Sequence, residues 1–141
     1  MAVPSGGAGR NFVIAILGLG AIGFAVFGIQ WLANPTGMAA PLGIMLTNGD
    51  ATSDARAVYG GLEIGFGLFL AYSAAAASRR TQGLAAGALT LGGLGLARIA
   101  GIVVAPGGAG HPTFVLLATD LTGIAVFVTA FLVSRRVDRA A

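Results

Sequence analysis

The chain has 141 residues, of which 56% are hydrophobic and only 9% are charged, and its formal net charge is +3. Soluble domains carry about 25% charged residues, so this composition excludes an ordinary water-facing surface and indicates one domain in a membrane. The chain has no cysteine, which excludes disulfide bonds and thiolate metal sites, and its basic residues are arginines scattered along the chain, so we expect no nucleic-acid partner.

Four apolar runs have about the 20 residues that a bilayer core requires, and they predict transmembrane helices at about 11–33, 55–77, 83–105 and 113–133. The first run is longer than the apolar region of a signal peptide, so we interpret it as a retained helix. The short connections between the runs predict an all-α fold, an antiparallel four-helix bundle in the membrane.

Residues near the connection between the first and second predicted helices indicate where each helix meets the membrane surface. Trp31 lies near the end of that helix, where aromatic belts sit in membrane proteins. Residues 38–47 are apolar but too short to span, so they predict a segment lying at the membrane interface. Asp54 is placed to cap the second helix.

The distribution of arginine predicts the orientation of the bundle. One side carries only Arg56, whereas the other side carries Arg10, Arg79, Arg80, Arg135, Arg136 and Arg139. The positive-inside rule then places both termini in the cytoplasm. The segment 34–55 and the loop containing His111 face outward. His111 is the only histidine, and a metal site needs several convergent ligands, so we expect no metal.

Three charged residues lie within the predicted spans: Glu63, Arg98 and Asp120. With a rise of about 1.5 Å per residue, each lies roughly 10 Å below the outer edge of the membrane. An unpaired charge at that depth costs about 2.5–3.5 kcal/mol. We therefore expect Arg98 to pair with Asp120, with Glu63 or with both, while Arg56 and Tyr59 lie at the mouth of the same layer.

This charged layer has three open interpretations. It is an ion cluster that fixes helix register, a site for a ligand or lipid head group, or an acid/base site using Glu63 or Asp120. The inner halves of the helices offer only scattered hydroxyl groups, which makes a proton or ion pathway the least favoured reading.

Several stretches resemble one family. These are Pro41-Leu-Gly-Ile, the run from Asp54 through Arg56-Ala-Val-Tyr59-Gly-Gly to Phe69, Arg98 in the third helix and an acid in the fourth. They resemble the four-helix bacterial membrane proteins of domain of unknown function 4345, within the wider DoxX-like group. The resemblance implies a four-helix membrane fold with a shared polar layer, in a bacterial inner membrane. Here the acid is Asp120, where the family pattern favours Glu.

Two functional hypotheses follow from these features. The first is a non-catalytic membrane protein that acts as an accessory subunit or binds a small amphiphile in the outer half of the bundle. The second is a membrane enzyme subunit that uses Glu63 or Asp120 as an acid/base, or a subunit linked to quinone oxidoreduction as DoxX-like relatives suggest. The residues predict no cofactor, although a quinone or lipid is compatible with the layer. The expected partners are the lipid bilayer and a membrane protein or a second copy of the chain.

Overall fold

The computed structural model describes residues 6–104 and 108–140, where the regular structure is helical and contains no strand. The elements in chain order are α1 (Gly6–Ala33), α2 (Pro35–Ala39), a 3-10 turn (Ala40–Leu42), α3 (Gly49–Ala55), a π-helical segment (Arg56–Gly61), α4 (Leu62–Ala75), α5 (Ala77–Val104) and α6 (His111–Ala140). The segments α3, π and α4 follow one another without a break, so Gly49–Ala75 forms one long rod.

Four helical stretches are long and apolar enough to cross a membrane, namely Gly7–Ala33, Gly49–Ala75, Ala77–Val104 and His111–Val137. Large apolar side chains such as Leu19 and Leu89 are more than half exposed on the outside of the bundle. Lipid is the solvent that such a surface fits. The predicted all-α fold with four spans is confirmed, and the chain is a multi-pass membrane protein.

The four long helices occupy the corners of a bundle. Helix α1 packs against the α4 rod and against α6, and α5 packs against α4 and α6. Helices α4 and α6 therefore lie at opposite corners. We call the end that carries residues 34–55 the cap end, and the end where α4 turns into α5 the turn end.

The helices begin at different residues from those predicted. The second rod begins at Gly49, since the Asn48 side chain accepts a hydrogen bond from the Ala51 N–H at 2.8 Å and caps α3. The prediction that Asp54 is the cap is therefore wrong, and Asp54 lies inside α3. At the turn end, Ala76 alone is extended, with φ −133° and ψ 136°, so Arg79 lies in the first turn of α5 rather than in a loop.

The connection at the cap end is a series of short elements. Asn34 caps α2 by accepting a hydrogen bond from the Gly37 N–H at 3.0 Å. The 3-10 turn ends at Gly43, whose φ of 69° favours glycine, and this turn also contacts α6. The loop predicted at 106–112 lies partly outside the described residues, and its His111 is the first residue of α6.

The buried apolar side chains form two separate cores. The turn-end core joins α1, α4, α5 and α6 and consists of Val13, Leu17, Ala21, Leu70, Leu84, Phe127 and Ala130. The cap-end core consists of Trp31, Ala39 and Ala55, with Met38 and Leu46 packed against it. The intramembrane charges fall between these two cores along the helices.

Candidate functional site

Arg98 and Asp120 form an ion pair between α5 and α6. The Arg98 Nε atom donates to Asp120 Oδ2 at 2.8 Å. The side chain of Asp120 is 8% exposed and that of Arg98 is 24% exposed. This is the one salt bridge within the described ranges, and it confirms the predicted pairing of Arg98 with Asp120.

Glu63 lies at the same height as this ion pair. A Cβ atom at Gly20 of α1 would lie 2.7 Å from Phe127 Cζ and 3.1 Å from Leu70 Cδ1, so these two side chains mark one level of the bundle. Asp120 precedes Phe127 by seven residues and Glu63 precedes Leu70 by seven. Because α4 and α6 run in the same direction, both carboxylates lie about 10 Å closer to the cap end.

Arg98 reaches that level from a position nearer the cap end. Gly87 of α5 packs against the Phe127 ring, and Arg98 follows Gly87 by eleven residues, or about 16 Å. Helical side chains lean toward the N-terminus of their helix. The N-terminus of α5 lies at the turn end, so the Arg98 side chain extends toward the turn end and its guanidinium reaches Asp120.

Glu63 has no partner in the part of the chain that the structure describes. Its side chain is half-buried and makes no hydrogen bond or ion pair there. By helical spacing it shares a face with Gly67 and Leu70, which are both buried. The predicted contact of all three charges is therefore absent, because α4 and α6 stand at opposite corners and Arg98 pairs with α6.

The ion pair also leaves hydrogen-bonding capacity unused. A guanidinium has five N–H donors, and Arg98 uses only Nε within the described residues. Asp120 accepts only through Oδ2. The terminal nitrogens of Arg98 can thus bind a further acceptor without breaking the pair.

Arg56 acts elsewhere, at the end of α1. Its Nε atom donates to the Leu32 carbonyl oxygen at 3.1 Å, which lies in the last turn of α1, where carbonyls lack an intrahelical partner. The following Gly60 packs on the Leu32 side chain, at a place where a Cβ atom would come within 2.6 Å of Leu32 Cδ2. Through these contacts the π-helical segment Arg56–Gly61 docks the rod onto α1.

Tyr59 belongs to the same docking surface. Its ring stacks on the Trp31 indole with centroids 4.6 Å apart. Trp31 is 1% exposed, so it is a core residue rather than a member of an aromatic belt. Its Nε1 is buried without a hydrogen-bond partner in the described part. No sequence pattern reveals this burial, because it depends on residues 34–55 folding back over α1.

We call Glu63, Arg98 and Asp120 the polar layer. It contains two carboxylates and one guanidinium at one level between two apolar cores. Among the described residues no three His, Cys, Asp or Glu side chains come together to hold a metal ion. The chemistry that the layer offers is hydrogen bonding through the Glu63 carboxylate and the terminal nitrogens of Arg98.

Comparison with known proteins identifies the family of this chain. No curated protein and no solved structure matches the chain. A family model described as a domain of unknown function matches residues 12–131, which include the polar layer, the second and third spanning helices and most of the first and the fourth. The chain therefore belongs to the family of domain of unknown function 4345 (DUF4345).

Proposed function

We propose that this protein binds a small amphiphile at the polar layer, with the apolar tail in the bilayer and the polar head against Glu63 and Arg98. The observation that carries the proposal is that Glu63 is half-buried within a membrane span and lacks a partner in the described chain. Ionisable groups in such positions are rare and mark ligand or ion sites by default.

The charges of the layer define the head group that fits. Asp120 is neutralised by Arg98, which leaves Glu63 as the acceptor without a counter-charge. A head that donates hydrogen bonds, such as an amine or a hydroxyl group, satisfies Glu63. An acceptor atom on the same head can bind the free N–H groups of Arg98. This combination favours an amphiphile with an amine-bearing or hydroxylated head over a purely anionic one.

The test is native mass spectrometry of the protein extracted with its surrounding lipid from its own membrane. We expect the wild type to carry one amphiphile per chain whose binding depends on Glu63. Glu63→Gln removes the acceptor charge, and we expect the bound fraction to fall about tenfold, as for the loss of one charged hydrogen bond of about 1.4 kcal/mol or more.

Asp54→Asn is the matched control. It makes the same carboxylate-to-amide change in the same rod, but at an exposed position in α3. We expect Asp54→Asn to retain the amphiphile. A wild-type protein with no bound amphiphile, or equal occupancy in wild type and Glu63→Gln, would show that the polar layer is not a binding site.

A further inference from the structure

A second polar site lies at the turn end, far from the polar layer. A groove of about 530 Å³ runs between the start of α5 and the end of α6. Its lining residues are Ala77, Ser78, Thr81, Gln82, Arg135 and Arg139. The two arginines are one helical turn apart on α6, so both guanidinium groups border the same space.

These two arginines differ from the other arginines beside the turn. Arg79 donates from Nε to the Tyr72 carbonyl at 3.2 Å, and its guanidinium stacks on the Tyr72 ring at 3.7 Å. Arg80 donates to the Ala74 carbonyl at 3.1 Å. Both therefore bind the end of α4. Within the described residues Arg135 and Arg139 make no hydrogen bond or ion pair, and Arg135 contacts only the Phe131 ring, at 5.8 Å.

The rest of the groove supplies neutral donors. Ser78 and Gln82 offer a hydroxyl and an amide group. A hydrogen bond of 2.7 Å between the Thr81 and Ser134 hydroxyl groups joins α5 to α6 beside the groove. Ser134 is buried, so this bond fixes the spacing of the helices that form the walls. Two cations that have no ion-pair partner among the described residues, together with neutral donors around the same space, suit a phosphate group.

The surroundings of the groove favour a lipid as the source of that phosphate. Arg135 lies within the stretch His111–Val137 that is apolar enough to span the bilayer, near its end. Tyr72 and Leu132, at the same end of the bundle, are more than half exposed. A phosphate held here would thus have exposed apolar surface close by for acyl chains, and basic pockets between transmembrane helices bind anionic head groups.

We propose that the groove between α5 and α6 binds the phosphate of an anionic phospholipid through Arg135 and Arg139. The site is separate from the polar layer, so failure of either proposal leaves the other standing.

The experiment titrates the full chain, in neutral detergent at about 0.15 M salt, with phosphatidylglycerol and with phosphatidylcholine, and counts bound lipids by native mass spectrometry. At this salt concentration exposed charges more than about 8 Å apart are largely screened. We expect phosphatidylglycerol to bind more tightly than phosphatidylcholine. Arg135→Gln with Arg139→Gln should weaken phosphatidylglycerol binding at least about tenfold, since each arginine near a lipid head contributes about 1 kcal/mol.

The control is the double variant Arg10→Gln with Arg136→Gln. It removes the same net charge from exposed arginines that do not line the groove. We expect it to bind phosphatidylglycerol like the wild type. A second pair, Arg135→Lys with Arg139→Lys, keeps the charge and should retain most of the binding.

Three results would overturn the proposal. The first is equal weakening by the two glutamine double variants, which indicates general surface attraction. The second is equal affinity for phosphatidylcholine and phosphatidylglycerol. The third is tighter binding of inorganic phosphate alone than of phosphatidylglycerol, which identifies a soluble phosphate compound as the ligand instead.

Discussion

Among the residues that the structure describes, Asp120 is the one charged residue that is buried, with 6% of the whole residue exposed. A carboxylate in that position needs a counter-charge, because desolvation without one costs several kcal/mol. Arg98 supplies the counter-charge through Nε alone. At the level of single residues, the layer thus combines one neutralised acid with one acid, Glu63, that has no counter-charge in the described chain.

Arg98→Leu should destabilise the protein by about 3 kcal/mol, the lower part of the range for breaking a buried ion pair, since Arg98 is a quarter exposed. The double variant Arg98→Leu with Asp120→Leu should recover most of this loss, because no charge remains unpaired. The measurement is unfolding in mixed micelles with sodium dodecyl sulfate, monitored by the fluorescence of Trp31, the only tryptophan.

Arg136→Leu serves as the control for Arg98→Leu, because Arg136 is exposed and has no ion pair or hydrogen bond in the described structure. Its stability should match the wild type. If the double variant were as unstable as Arg98→Leu, the loss would come from packing around Arg98 rather than from an unpaired Asp120.

At the level of elements, close approach of α1 and the α4 rod holds the cap end together. A Cβ atom at Gly28 of α1 would lie 2.6 Å from the Gly60 carbonyl oxygen and 3.0 Å from the Ile64 nitrogen. Both of these are backbone atoms, which cannot move without shifting the rod. Small residues permit such close approach between membrane helices. Here the approach brings the Tyr59 ring into stacking contact with the Trp31 indole.

Gly28→Ala should therefore destabilise the protein by about 1–3 kcal/mol, the usual cost of overpacking. Gly23→Ala on the same helix should be neutral or stabilising by up to about 1 kcal/mol, since alanine favours helix and nothing lies within 4 Å of its Cβ position. Unfolding curves of both variants in mixed micelles provide the comparison. Equal effects would mean that the contact between α1 and the rod does not limit stability.

At the level of the whole molecule, the two ends of the bundle differ in charge. Of the arginines in the described chain, Arg10, Arg79, Arg80, Arg135, Arg136 and Arg139 belong to the turn end, whereas Arg56 belongs to the cap end. We propose on this basis that the turn end and both termini face the cytoplasm.

The absence of native cysteine makes this orientation directly testable. Thr47→Cys lies at the cap end and Ser78→Cys at the turn end, and both positions are exposed. With a maleimide reagent that does not cross membranes, we expect Thr47→Cys to react in intact cells and Ser78→Cys to react only after the membrane is opened. The reverse pattern would place both termini outside.

The sequence by itself determined the number of spans, the all-α fold and the presence of charges at one depth, because hydrophobic length and helical rise are local properties of the chain. Only the tertiary structure decided that Arg98 pairs with Asp120 and that Glu63 has no partner in the described chain, because that choice depends on which helices share a face. Tertiary contacts also decided that Arg56 binds α1 and that Trp31 is buried. Those contacts arise from the π-helical segment and from residues 34–55 folding back over α1, and neither follows from apolar periodicity.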